Sequence, residues 1–151
     1  MDKLSFLKND FPKMLSNLAP DAKGEWGVMN GQQMVEHMAD SVSQATGNNT
    51  QKLHTPADLV EKYKSFAMSD KEFKPNTPNA MLPDVPPPPS KGNMADAIAE
   101  YNKQLQEFIS YFEKNKGASI TNPFFGDLNF EEWTQLLHKH AVHHSKQFRL
   151  M

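Results

Sequence analysis

Cysteine is absent from the 151 residues. Its absence removes disulfides, thiolate metal ligands and cysteine nucleophiles together. An excess of basic charge is also missing, since 16 Lys and Arg stand against 18 Asp and Glu for a formal charge of −2. A nucleic-acid binder normally carries a basic surface, so no nucleic-acid partner is expected. No run approaches the roughly 18 apolar residues that span a bilayer. The opening MDKLSFLKNDFPKM has scattered charges and lacks the apolar centre of a signal peptide. These absences point to a soluble cytoplasmic protein with no membrane partner. The length suits one domain, residues 1–151, with room for a real core. Nine Met and ten Phe supply much of that core, yet hydrophobic residues make up only 38%, as if one stretch contributes little.

That stretch is residues 69–92, SDKEFKPNTPNAMLPDVPPPPSKG, which hold seven of the eleven prolines. Proline has no amide donor and disfavours helix in the residue before it. The segment reads as a long Pro-rich crossover within the domain. A lid over a pocket and a docking site for a proline-binding partner are the other readings.

Elsewhere the periodicity is helical. Leu4, Leu7, Phe11, Met14, Leu15 and Leu18 share a helical face over residues 3–18. Pro12 must kink that segment or sit in the first turn of a helix starting near Asp10. Asn30 caps a helix over about 31–47, and Thr55-Pro56-Ala57-Asp58 starts a short one over about 56–67 with Thr55 as the cap. Asn93 opens a long helix over about 94–115 with the stripe Met94, Ile98, Tyr101, Leu105, Phe108, Ile109 and Phe112. After the loop GASITNPFFGDL, Asn129 and Glu132 form a capping box for a last helix over about 130–148. No strand pair is evident. The expected fold is all-α: a four-helix bundle with a short extra helix and the Pro-rich crossover.

Four of the six histidines fall within seven residues: His138, His140, His143 and His144. At about 100° per residue, His140 and His144 lie in the middle of the apolar stripe with Trp133, Leu136 and Leu137. His143 lies at its edge and His138 on the solvent side. An i, i+4 pair projects two imidazoles side by side one turn apart, a recognised way to hold a metal. Two buried imidazoles are costly without a shared partner. A polar core network and a surface-facing accident are the alternatives. His37, at the edge of the second helix's apolar face, is the candidate third ligand. One ion bridging the two helices requires His37 nitrogen within about 3–3.5 Å of His140.

Three neutral imidazoles suit zinc, nickel, iron or cobalt, and three protein ligands leave a position open, as in catalytic sites. Such a position can lower the pKa of a water or bind a thiolate. Asp40, one turn after His37, and Gln147, near His144, are candidates for supporting the ligands or contacting substrate, and so is His143 at the stripe's edge. Glu36 points about 100° away from His37 and is a weaker candidate.

His140-Ala-Val-His143-His144-Ser-Lys-Gln147 resembles the H-x-x-x-H-x-x-Q signature in the last helix of the DinB-like superfamily. Trp26-Gly-Val-Met-Asn-Gly-Gln-Gln-Met-Val-Glu-His37 resembles the second-helix motif of one poorly characterised DinB-like subfamily, and Asn122-Pro-Phe-Phe-Gly126-Asp-Leu with Glu132-Trp133 resembles its approach to the last helix. The resemblance implies a four-helix bundle, often a homodimer, with a divalent metal ion (zinc, nickel or another) held by His37, His140 and His144. It also implies a choice of activities, since some relatives are bacillithiol transferases, mycothiol-dependent maleylpyruvate isomerase or glutathione-using enzymes, and others are described as hydrolases. The leading expectation is therefore a metal-dependent enzyme that activates a small thiol or water toward an apolar electrophile, as a thiol S-transferase or hydrolase. The alternatives are a non-catalytic, stress-related metal-binding bundle and an interaction module using the PPPP segment.

Overall fold

The computed structural model describes residues 2–75 and 86–151. The expected crossover over 69–92 therefore lies partly outside the described residues. In chain order the elements are α1 (Lys3–Ser5), a π-helical turn (Phe6–Asp10), α2 (Phe11–Leu15), α3 (Gly31–Ser43), α4 (Ala57–Met68), α5 (Met94–Lys114), β1 (Ile120–Asn122), β2 (Gly126–Leu128) and α6 (Phe130–Gln147). The molecule is mostly helical, but the expectation of no strand pair is corrected by a two-stranded antiparallel sheet.

The first helical segment is broken for a reason visible in its sequence. Pro12 sits in the first turn of α2, one of the two positions expected for it. Just before it, the Phe11 amide reaches back to the Phe6 carbonyl, a five-residue π spacing. The Leu7 carbonyl then has no helical donor, because Phe11 is already committed and Pro12 has no N–H. The Tyr101 hydroxyl on α5 donates to that carbonyl at 2.8 Å, and Tyr101 is wholly buried. The extra residue also rotates the face, so both Phe6 and Leu7 point into the core.

Asparagine caps start the three longest helices, including α3 and α6, which carry the histidines. The Asn30, Asn93 and Asn129 side chains accept from the amides of Gln33, Asp96 and Glu132. Capping boxes are complete at Asn30 with Gln33 and at Asn129 with Glu132. The start of α4 differs from expectation: Pro56 occupies the cap position without a side-chain bond. Thr55 is instead buried, its amide donating to the Pro123 carbonyl at 3.1 Å.

The hairpin pairs Ile120 with Leu128 and Asn122 with Gly126. Its turn is closed by the Asn122 side chain, which accepts from the amides of Phe124 and Phe125. The Trp133 indole donates to the Ile120 carbonyl at 3.1 Å and ties the hairpin to α6. Met34, Val35, Met38 and Val42 of α3 are buried, as are Ala97, Tyr101, Leu105 and Phe108 of α5, and these two helices pack along each other. Each large side chain removed from water here contributes roughly 1.5–3 kcal/mol. Across this core, α6 meets α1, the π turn, α3 and α4. No described helix is long and apolar enough to cross a membrane.

Candidate metal centre

His37 projects from the second turn of α3, and His140 and His144 from successive turns of α6. Their Nε2 atoms converge: His37 to His140 is 3.0 Å and His140 to His144 is 2.9 Å. One ligand atom from each of the three lies within 4.8 Å of the others. The rings stand nearly perpendicular across the helix interface, at 83° and 84° from the His37 plane. Nitrogens that share one ion at about 2.0–2.1 Å are expected about 3–3.5 Å apart, and both contacts lie at or just below the short end of that range.

Burial keeps these rings neutral. Desolvation, with the nearby His143 imidazole, pushes His37 down to about 4. Desolvation and the neighbouring His37 push His144 to about 3, against a modest opposing effect from Gln147. His140 lies well below the ordinary imidazole range through burial and the charges that His144, His37 and His143 would carry. A neutral imidazole is the metal-binding form. A network of protons alone serves this cluster poorly. The His140 Nε2 atom meets two nitrogens, and a single proton there aims properly at only one of them. A cation at the point of convergence is attracted to all three lone pairs, so the donor set fits a divalent metal with nitrogen preference.

The other expected site residues are distributed around this cluster. Gln147 is buried, and its Oε1 lies 2.7 Å from His144 Nδ1. His143 stays out of the Nε2 cluster. Its ring is 5.4 Å from Trp26, 5.9 Å from Phe73 and 5.1 Å from His144, and burial pushes its pKa down against an opposing effect of the Phe73 backbone. Asp40 is exposed, its carboxyl raised above the usual range by desolvation, and it forms no hydrogen bond to the three histidines. Glu36 turns away from the cluster to accept from the Ser90 amide at 2.7 Å, the Ser90 hydroxyl at 2.9 Å and the Lys91 amide at 3.2 Å. His54 is exposed, with its ring 6.0 Å from Phe124.

His138 corrects the helical-wheel reading. It is half-buried, with its ring 5.1 Å from Phe6, rather than on the solvent side. The π turn packs on that flank of α6, and the His138 Nε2 is buried without a hydrogen-bond partner among the described residues.

Two rim residues received no role from sequence. Phe73, the lone aromatic of the Pro-rich stretch, lies 6.3 Å from His140 and 5.6 Å from Phe66. α6 holds it there by pinning the chain just upstream. Lys139 Nζ donates to the Ser69 carbonyl at 2.9 Å and to the Lys71 carbonyl, and it lies 4.7 Å over the Phe66 ring. Gln135 donates to Ser69 at 3.1 Å, and Lys146 pairs with Glu72 at 2.6 Å. Trp26 is the second rim residue, in a loop that folds against the end of α6. A signal for both existed in principle: each is a single large aromatic in an otherwise polar, Gly- or Pro-bearing segment.

Neither the curated proteins nor the solved structures compared with this chain give a match. The sequence pattern that defines the DinB superfamily matches residues 10–148, which carry all three converging histidines. The chain belongs to the DinB superfamily.

Proposed function

We propose that the protein is a metal-dependent enzyme that activates a small thiol or water, of the thiol S-transferase or hydrolase type. The observation that carries this reading is the convergence of His37, His140 and His144 within 4.8 Å beside a half-exposed aromatic rim. In it, His37, His140 and His144 hold a divalent ion, with zinc, nickel and iron the candidates by donor chemistry. Such an ion supplies positive charge that stabilises a thiolate or hydroxide at neutral pH. The chain does the rest. Trp26, Phe73 and His143 form the wall against which an apolar electrophile rests. Gln147 supports His144 from behind. His143, with its ring 5.1 Å from His144, is the titratable group at this wall; Asp40, one turn after His37 on α3, is the second candidate. We place the protein in the cytoplasm as a homodimer, in keeping with the resemblance of its motifs, and light scattering at tens of micromolar tests the dimer.

The test of the chemistry is the visible spectrum of cobalt-loaded protein. It should change on adding millimolar thiol or on a pH sweep from about 5 to 9, which spans the pKa near 7 of metal-bound water. A cobalt spectrum indifferent to both leaves the second reading, a non-catalytic metal-binding bundle, in its place.

A further inference from the structure

We infer that Gln147 and the loop that grips it, residues 24–27, are a positioning device that sets the tautomer of His144. The argument runs outward from a group whose chemistry is fixed. A backbone carbonyl can only accept hydrogen bonds. The Trp26 carbonyl lies 2.8 Å from the Gln147 side-chain nitrogen, so the amide end of Gln147 must face Trp26. Its oxygen then faces His144 Nδ1 at 2.7 Å. That oxygen can only accept, so Nδ1 must carry the proton. In a neutral imidazole the other nitrogen then holds a lone pair, and His144 Nε2 is the atom aimed at His140.

The loop is shaped for this grip. The Glu25 amide donates to the Gln147 carbonyl at 2.7 Å, and the Glu25 side chain pairs with Arg149. The chain passes so close that only glycine fits at two places. A Cβ on Gly24 would come within 2.8 Å of Gln147 Cγ and 2.9 Å of the Trp26 carbonyl. At Gly27, with φ +79°, a Cβ would lie 2.9 Å from the Gln147 side-chain nitrogen, in a backbone region that other residues rarely adopt. Glycine at both positions allows the Trp26 carbonyl to reach Gln147.

The consequence for metal affinity rests on the proposed function, whereas the tautomer itself does not. In metal-free protein, long-range proton–nitrogen NMR of the histidine rings should show His144 protonated at Nδ1. Gln147→Leu should abolish that preference and weaken zinc binding about 10–100-fold, the usual effect of losing a partner behind a histidine ligand. Gln147→Glu retains an acceptor for Nδ1–H, so it should keep the tautomer and hold zinc affinity within a few-fold, although it loses the bond to Trp26. Gly27→Ala should push the amide away and weaken zinc binding. If that variant does not fold, the two Gln147 variants still decide. A wild-type His144 protonated at Nε2, or a Gln147→Leu protein binding zinc as tightly as wild type, overturns the inference. An Nδ1-protonated His144 in a wild-type chain that binds no zinc supports the grip while refuting the metal reading.

Discussion

Replacing Tyr101 with Phe removes one atom group and leaves the shape of the core intact. The ring is wholly buried and lies edge-on to Phe11 at 5.4 Å, a contact that Phe preserves. What is lost is the 2.8 Å bond to the Leu7 carbonyl. In a regular helix that carbonyl would recover a partner. Here Phe11 serves Phe6 and Pro12 has no proton to give, so the carbonyl stays buried and unpaired. Leaving such a group unsatisfied costs about 1–3 kcal/mol. For a chain of this length, about 2 kcal/mol corresponds to a fall of roughly 4–8 °C in unfolding temperature. Urea unfolding followed by circular dichroism should show the midpoint falling with its slope unchanged. Burial holds the Tyr101 hydroxyl well above its ordinary pKa, so it remains a donor throughout. Pro12→Ala restores an N–H beside Leu7 and should recover part of the loss in the Tyr101→Phe background. A Tyr101→Phe midpoint equal to wild type, or a loss indifferent to Pro12→Ala, would refute this account of the π turn.

The histidine cluster makes its own predictions. Zinc at about 100 times its dissociation constant should stabilise the wild type by about 2.7 kcal/mol, a rise of roughly 5–10 °C in a calorimetric scan. His140→Ala and His144→Ala should lose that rise, whereas His138→Ala should keep it from a lower baseline, having lost its packing on Phe6. The metal-free protein should lose stability as pH falls below about 6.5, where the unfolded histidines begin to charge. His37 and His144 refuse protons until about 4 and about 3. Unfolding therefore takes up protons across that window, and denaturant midpoints should decline through it rather than stay level. Lys139→Met keeps the apolar stem but releases Ser69 and Lys71. It should cost about 1–2 kcal/mol, the net of losing two charge-assisted bonds and a buried ammonium. It should also speed tryptic cleavage after Lys71, whereas Lys146→Ala, at an exposed pair, should do so far less.

The parts legible in the sequence were those governed by local chemistry. Asn30, Asn93 and Asn129 marked helix starts because a cap is a contact within one turn. The His140 and His144 pair was legible because four residues bring two side chains onto one helical face, and His37 because it sits at the edge of its own apolar face. What escaped depends on distant packing. The wheel put His138 in solvent, but a wheel carries no information about the N-terminal segment laid on that flank. Phe6 was hidden because the π turn adds a residue to the helical period. The hairpin strands are three residues each, too short for alternation to register, and their turn is closed by the Asn122 side chain. Phe73 gains its place from Lys139, a cation whose solvated role on a helix would be the ordinary expectation.

The central claim is that three imidazoles from α3 and α6 share one ion. Elemental analysis of untagged protein, purified and equilibrated with zinc and then freed of excess, tests it directly. About one ion per chain in the wild type, with almost none in His144→Ala, is the predicted result. A wild-type chain that retains no metal, or a His144→Ala chain that retains as much as wild type, would contradict it.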